Sequence, residues 1–159
     1  MIDIKDIEAE VKPVVQTLHD LANGEDRATA IIGAAFVENI LEEWLRRFLQ
    51  HGEKTFRAKI KLCFTLGLIG PIAHEDFDLI RKMRNKFAHE TLMHDARNQL
   101  ASVSFKTPQI SAWSNNLKLW ERVFRPERLK SEREKFILTC GLLHFAKIKS
   151  RRLEPPFLP

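Results

Sequence analysis

The sequence predicts an all-α, single-domain helical bundle of about five to seven helices. Apolar residues recur at three- and four-residue steps in most segments, and strand-like alternation never runs beyond a few residues. A chain of 159 residues with no internal repeat fits one domain, long enough to bury a core without disulfides. That domain is expected over residues 1–150. The stretch "RRLEPPFLP" at 151–159 reads as an extended, proline-rich tail.

The first helix is expected over 4–22, where Ile4, Ile7, Val11, Val14, Val15, Leu18 and Leu21 share a stripe. Pro13 should mark a boundary or kink, because it cannot donate the intrahelical bond. Asn23-Gly24 breaks the pattern, and Glu25-Asp26 supplies the negative charge that favours a helix start. The second helix, about 26–50, is apolar almost all round in its first half, which predicts a central position. Gly33 and the alanines would let a neighbouring helix approach closely. Its second half turns Ile40, Leu41, Trp44, Leu45 and Phe48 inward, and His51-Gly52 should end it.

Thr55 is the expected cap of a third helix, 56–66, closed by Gly67. "GLIGPIA" reads as a connection. A fourth helix opens at His74-Glu75-Asp76 and puts Phe77, Ile80, Phe87 and Ala88 on its core side. Residues 91–112 suggest a short helix and a long connection, and Trp113 to Phe124 another short helix stopped by Pro126. A strongly charged last helix is expected over 127–149, with Phe136, Leu138, Cys140, Leu142, Leu143, Phe145 and Ile148 in it.

Composition excludes several classes. No stretch approaches eighteen consecutive apolar residues, so no membrane span is expected. The chain shows no secretion signal, and Cys63 and Cys140, far apart in apolar helical patterns, read as free buried thiols of a cytoplasmic protein. The net charge of +5 is uneven. Residues 118–152 hold eleven basic against four acidic residues, whereas 1–117 hold fifteen against sixteen. Arg128, Lys130, Arg133, Lys135, Lys147, Lys149, Arg151 and Arg152 therefore form a candidate surface for nonspecific nucleic acid or an acidic partner. The alternative is a solvated helix face.

No glycine-rich phosphate loop occurs. His94-Asp95 resembles the metal-binding pair of HD phosphohydrolases, but no aspartate follows it, and His89 and His94 have no further ligand at metal spacing. No metal or other cofactor is expected. A helix-turn-helix using Arg81, Lys82, Arg84, Asn85 and Lys86 would need a turn of about three or four residues. The break here, Gly67 to Ala73, takes seven.

The stretch "LIRKMRNKFAHE" at 79–90 holds the candidate site, Arg84, Asn85 and His89. Residues five apart on a helix differ by about 140° and about 7.5 Å of rise, so Arg84 and His89 cannot share a face of one regular helix. They converge only if the helix frays near Ala88 or a second copy contributes its own pair across a two-fold axis. Chemically the pair suits metal-independent RNA cleavage, a histidine moving the 2′-hydroxyl proton while an arginine stabilises the phosphorane. The structural alternative pairs Arg84 with an acid such as Asp26 or Glu38 and leaves Asn85 and His89 as helix caps.

The R-N-x-x-x-H arrangement resembles the signature of HEPN domains, helical bundles that include dimeric ribonucleases. More of the chain, about residues 25–90, resembles the MtlR (mannitol operon repressor) family. The matching residues are Asp26-Arg27, "FRAKIKLCFTLGLI" at 56–69 and "LIRKMRNKFAHE" at 79–90. Ala28 stands where that pattern usually has glycine, and Lys59 where it usually has arginine. The resemblance implies a bacterial, cytoplasmic transcriptional regulator of sugar-alcohol (mannitol) utilisation. Without a helix-turn-helix it would act through a protein partner, as a homodimer, or by nonspecific nucleic-acid contact. The competing expectations are an HEPN-type endoribonuclease using Arg84, Asn85 and His89, and an inert scaffold in which Asp26, Arg27, Glu38 and Arg84 form structural ion pairs.

Overall fold

The computed structural model describes residues 4–49, 55–90, 92–94, 97, 100–123 and 131–150. It is an all-α bundle of six α-helices: α1 (Ile4–Asn23), α2 (Asp26–Leu45), α3 (Phe56–Thr65), α4 (Pro71–His89), α5 (Pro108–Asn115) and α6 (Glu132–Ser150). A two-stranded hairpin, β1 (Leu92–His94) and β2 (Leu100–Ser102), follows α4, and one turn of 3-10 helix at Trp120–Arg122 follows α5.

As its apolar first half requires, α2 is the central element and packs against α1, α3, α4 and α6. Gly33 is the closest approach: a Cβ there would lie 2.7 Å from Cε1 of Phe136 on α6. The core gathers Val37, Leu41 and Trp44 of α2, Phe77, Ile80 and Phe87 of α4, and Phe136, Cys140 and Leu143 of α6, all buried. Burial pushes the Cys63 thiol up to about 12 and raises that of Cys140 as well, so both are inert packing groups.

Several boundaries depart from the sequence expectation, each for a local reason. Pro13 lies mid-helix in α1, on the exposed side, where water can take the carbonyl it leaves unpaired. Val15, next to the buried Val14, faces outward. Helix α2 ends at Leu45, where bonds from Arg47 to Trp44 and from Phe48 to Leu45 tighten the chain into a turn. Phe48 is consequently exposed instead of inward; His51 and Gly52 lie outside the described residues.

Thr55 caps α3 as expected, its hydroxyl accepting from Ala58 N–H at 3.2 Å. Gly67 closes α3 at φ 71°, with Leu68 N–H on the Cys63 carbonyl and Gly67 N–H on that of Phe64, a Schellman ending. Pro71 is the first residue of α4, so the α3–α4 connection is the five residues Leu66–Gly70 and not seven.

A hairpin opens the segment 91–112, and the short helix expected in it starts only at Pro108. Glu90 leaves α4 with extended backbone, and Leu92, Met93 and His94 pair antiparallel with Ser102, Ala101 and Leu100. Strands of three residues are too short to imprint an alternation. Thr107-Pro108 starts α5, since proline suits the first turn. The helix expected at Trp113 to Phe124 is therefore split. Helix α6 begins at Glu132, not 127, because Ser131 and Glu134 form a reciprocal capping box: each side chain accepts from the other's backbone N–H at 3.2 Å. Pro126 and the tail 151–159 lie outside the described residues.

One ionic cluster ties the helices together. Arg133 on α6 donates from Nη1 to Asp26 Oδ1 at 3.0 Å. Its Nη2 lies against the Leu21 carbonyl at 2.7 Å, Thr29 Oγ1 at 2.9 Å, Ala22 O at 3.3 Å, and Gly24 O. A guanidinium thus covers carbonyls left over at the end of α1. Asp26 Oδ2 accepts from Phe105 N–H at 3.0 Å, pinning the segment after β2.

Two outcomes follow in thermal or urea unfolding. Arg133→Met should destabilise by about 3 kcal/mol, since Asp26 and the α1 carbonyls lose their partner. Gly33→Ala should destabilise by about 1–2 kcal/mol, the clash with Phe136 outweighing the better helix propensity. A Gly33→Ala protein more stable than wild type would show that α2 and α6 are not in this contact.

Candidate functional site

Helix α4 carries four arginine or lysine residues, and three are neutralised within the helix. Arg81 Nη2 lies 2.7 Å from Asp78 Oδ1, Lys82 Nζ 2.9 Å from Asp78 Oδ2, and Lys86 Nζ 2.8 Å from Glu90 Oε2. Burial alone would raise the Asp78 carboxyl, but its bonds from Lys82 and Arg81 outweigh that and hold it below its ordinary value. Among the described residues Arg84 has no carboxylate partner. Its Nη1 donates to Asn85 Oδ1 at 3.0 Å, a contact that orients the guanidinium without cancelling its charge.

The acids proposed for Arg84 are occupied elsewhere. Asp26 holds Arg133, and Glu38 receives Lys59 Nζ at 2.8 Å. Lys59 also reaches Glu42 Oε2 at 3.0 Å. Burial would lower the Lys59 pKa, but the two glutamates together raise it. Arg27 pairs with the backbone: its Nη2 donates to the Ala88 carbonyl at 3.4 Å, placing a cation at the negative end of α4.

His89 is exposed, and among the described residues it makes no hydrogen bond. It does not cap α4, and Asn85 bonds Arg84 instead of a helix end. Helix α4 stays regular through His89, so the fraying that would bring Arg84 and His89 together in one chain does not occur. A cleft of about 520 Å³ opens beside this end of α4, lined by residues of the α2 start, by Phe87 and Glu90, and by Ser102 to Ser104. Neither Arg84 nor His89 lines it.

The proposed basic surface is reduced. Arg133 is committed to the interhelical cluster, and Lys135 donates to Asn115 Oδ1 with its Nζ 5.3 Å from the centre of the Trp120 ring. Arg128, Lys130, Arg151 and Arg152 lie outside the described residues, as do the side chains of Lys147 and Lys149 on α6. Asp95 does likewise, as does the side chain of His94, whose backbone ends β1. No helix among the described residues is long and apolar enough to cross a membrane, and no cluster of metal-ligating side chains occurs among them. Comparison of the chain with protein-family models, curated proteins and solved structures found no match in any of the three.

Sequence reasoning missed Lys59 and Asp76, both on the core stripe of an amphipathic helix. That placement was itself the signal, because a charge on such a stripe needs internal partners. Asp76 is 0 % exposed and accepts from the backbone N–H groups of Lys118 at 2.9 Å and Leu119 at 2.8 Å. It thereby pulls residues 118 and 119 out of helix and splits the segment after α5. Burial pushes its carboxyl up to about 6, and the two backbone bonds only partly counter this.

A raised carboxyl pKa means the folded chain holds the proton more tightly than the unfolded one. The contribution of Asp76 is therefore complete below its ordinary value of 3.8 and is lost as pH rises to about 6. The stability difference between wild type and Asp76→Asn, from urea unfolding at several pH values, should shift by about 3 kcal/mol against wild type across that window. A difference that stays flat from pH 4 to about 7 would contradict this account of the buried carboxyl.

Proposed function

We propose that this chain is a regulatory protein of the mannitol-operon-repressor type, working through Arg84, oriented by Asn85 on α4, and an anionic partner surface. The observation that carries this reading is the charge pattern of α4. Arg81, Lys82 and Lys86 are neutralised in place, while Arg84 is held by an amide and keeps its charge for an external group. The resemblance of residues 25–90 to that family supports it as well. The paired cations of α4 argue against base reading by a helix-turn-helix.

A second reading, a metal-independent endoribonuclease, draws on the exposure of His89. It requires two copies, since one regular α4 keeps Arg84 and His89 about 140° apart. The regulatory reading needs no such convergence.

Both are tested with Arg84→Glu and His89→Ala. Neither residue sits in an ion pair among the described residues, so both variants should melt within a degree or two of wild type. In cells carrying a mannitol-inducible reporter, Arg84→Glu should relieve repression while protein levels stay constant. Unchanged repression by that variant would sink the regulatory reading. Cleavage of labelled single-stranded RNA in EDTA by wild type, abolished in His89→Ala, would replace it with the ribonuclease.

A further inference from the structure

The outer face of α3 presents a charge pattern opposite to that of α4. Residues 57, 61 and 64 follow at helical spacing, so Arg57, Lys61 and Phe64 form one stripe about 10 Å long that flanks the buried Phe56, Ile60 and Cys63. All three are exposed, Phe64 to 42 %. Helix α3 contains no acidic residue. Several acids of the neighbouring helices are bound to other groups: Glu38 and Glu42 to Lys59, Asp78 to Arg81 and Lys82, and Glu75 to Lys118. Arg57 and Lys61 therefore keep their full charge and have no side-chain partner among the described residues.

Phe64 is held at 4.5 Å from the His74 ring in a tilted contact, leaving part of its face open. At the end of α2, just before α3 in the chain, Arg47 is exposed and Phe48 is 52 % exposed. Cations alternating with exposed aromatic rings match a polyanion whose repeating unit also offers a flat π-face. An acidic peptide would satisfy the cations and leave both rings in water.

From this we infer that the outer face of α3, with the Arg47–Phe48 turn, binds single-stranded nucleic acid through Arg57, Lys61 and a base stacked on Phe64. The proposal uses neither Arg84 nor His89, and it stands whether or not the reading of α4 holds.

Fluorescence anisotropy of the full chain with a labelled oligonucleotide of about twelve nucleotides tests it, at salt raised from about 50 to 200 mM. Wild type should bind at low salt and weaken between about five- and twentyfold over that range. The double variant Arg57→Glu/Lys61→Glu should lose at least about tenfold in affinity, and Phe64→Ala about tenfold, with Phe64→Trp restoring it. The charge reversals sit on exposed side chains and should leave the melting temperature unchanged. Absence of binding by wild type at low salt, or equal binding by the charge-reversed variant, overturns the proposal. So does duplex DNA binding as tightly as the single strand with Phe64→Ala unaffected, because stacking would then be absent. Displacement of the oligonucleotide by polyglutamate at equal charge overturns it in favour of an acidic protein partner.

Discussion

The Arg133 guanidinium holds together pieces of chain that no single apolar contact would join. It touches carbonyls at the end of α1, the carboxylate and hydroxyl of Asp26 and Thr29 on α2, and belongs itself to α6. Helix ends leave carbonyls without intrahelical partners, and burying them without a donor is costly. One planar cation with several donors solves this where the α1–α2 turn meets α6, which a lysine point charge could not do equally well. The turn can then be as short as Gly24 and Glu25.

That junction also sets the position of α4. Asp26 and Arg27 are adjacent at the start of α2, yet they face different neighbours. Asp26 binds Arg133 and the Phe105 amide, while Arg27 reaches the Ala88 carbonyl. A single turn of helix so connects α6, the segment after the hairpin, and the end of α4 that bears Asn85 and His89. The tight Gly33–Phe136 contact further along α2 keeps α6 close enough for Arg133 to reach. Packing and polar contacts are thus coupled through one helix.

Charge is distributed by pairing more than by composition. Asp78 and Glu90 lie three or four residues from the cations of α4 that they pair with, so three of those cations are neutralised locally and Arg84 stands apart. Helix α3 has no acids, and Lys59 takes up Glu38 and Glu42 of α2, so Arg57 and Lys61 of α3 have no carboxylate partner among the described residues. The C-terminal excess of basic residues, which dominates the composition, includes Arg133 and Lys135, both occupied with holding the bundle together. Local uncompensated charge, rather than net charge, marks the two candidate surfaces.

The sequence by itself determined the all-α class, the central place of α2, the Thr55 cap, the Gly67 ending and the core faces of α2 and α4. These depend on periodicity and on residues whose own backbone preferences act over one turn. It also located Arg84, Asn85 and His89 on one helix and showed that the arginine and histidine diverge. Only the tertiary structure decided who pairs with whom. Asp26 and Glu38 are both plausible acids for Arg84 by sequence, yet Asp26 belongs to Arg133, more than a hundred residues away, and Glu38 to Lys59. The hairpin after residue 91 and the helix break at Lys118, imposed by Asp76, were equally illegible. The hairpin pairs strands of three residues, too short to show an alternation. The break at Lys118 and the ion pairs depend on groups brought alongside from distant parts of the chain, and long-range partnership leaves no periodic trace in the residues that share it.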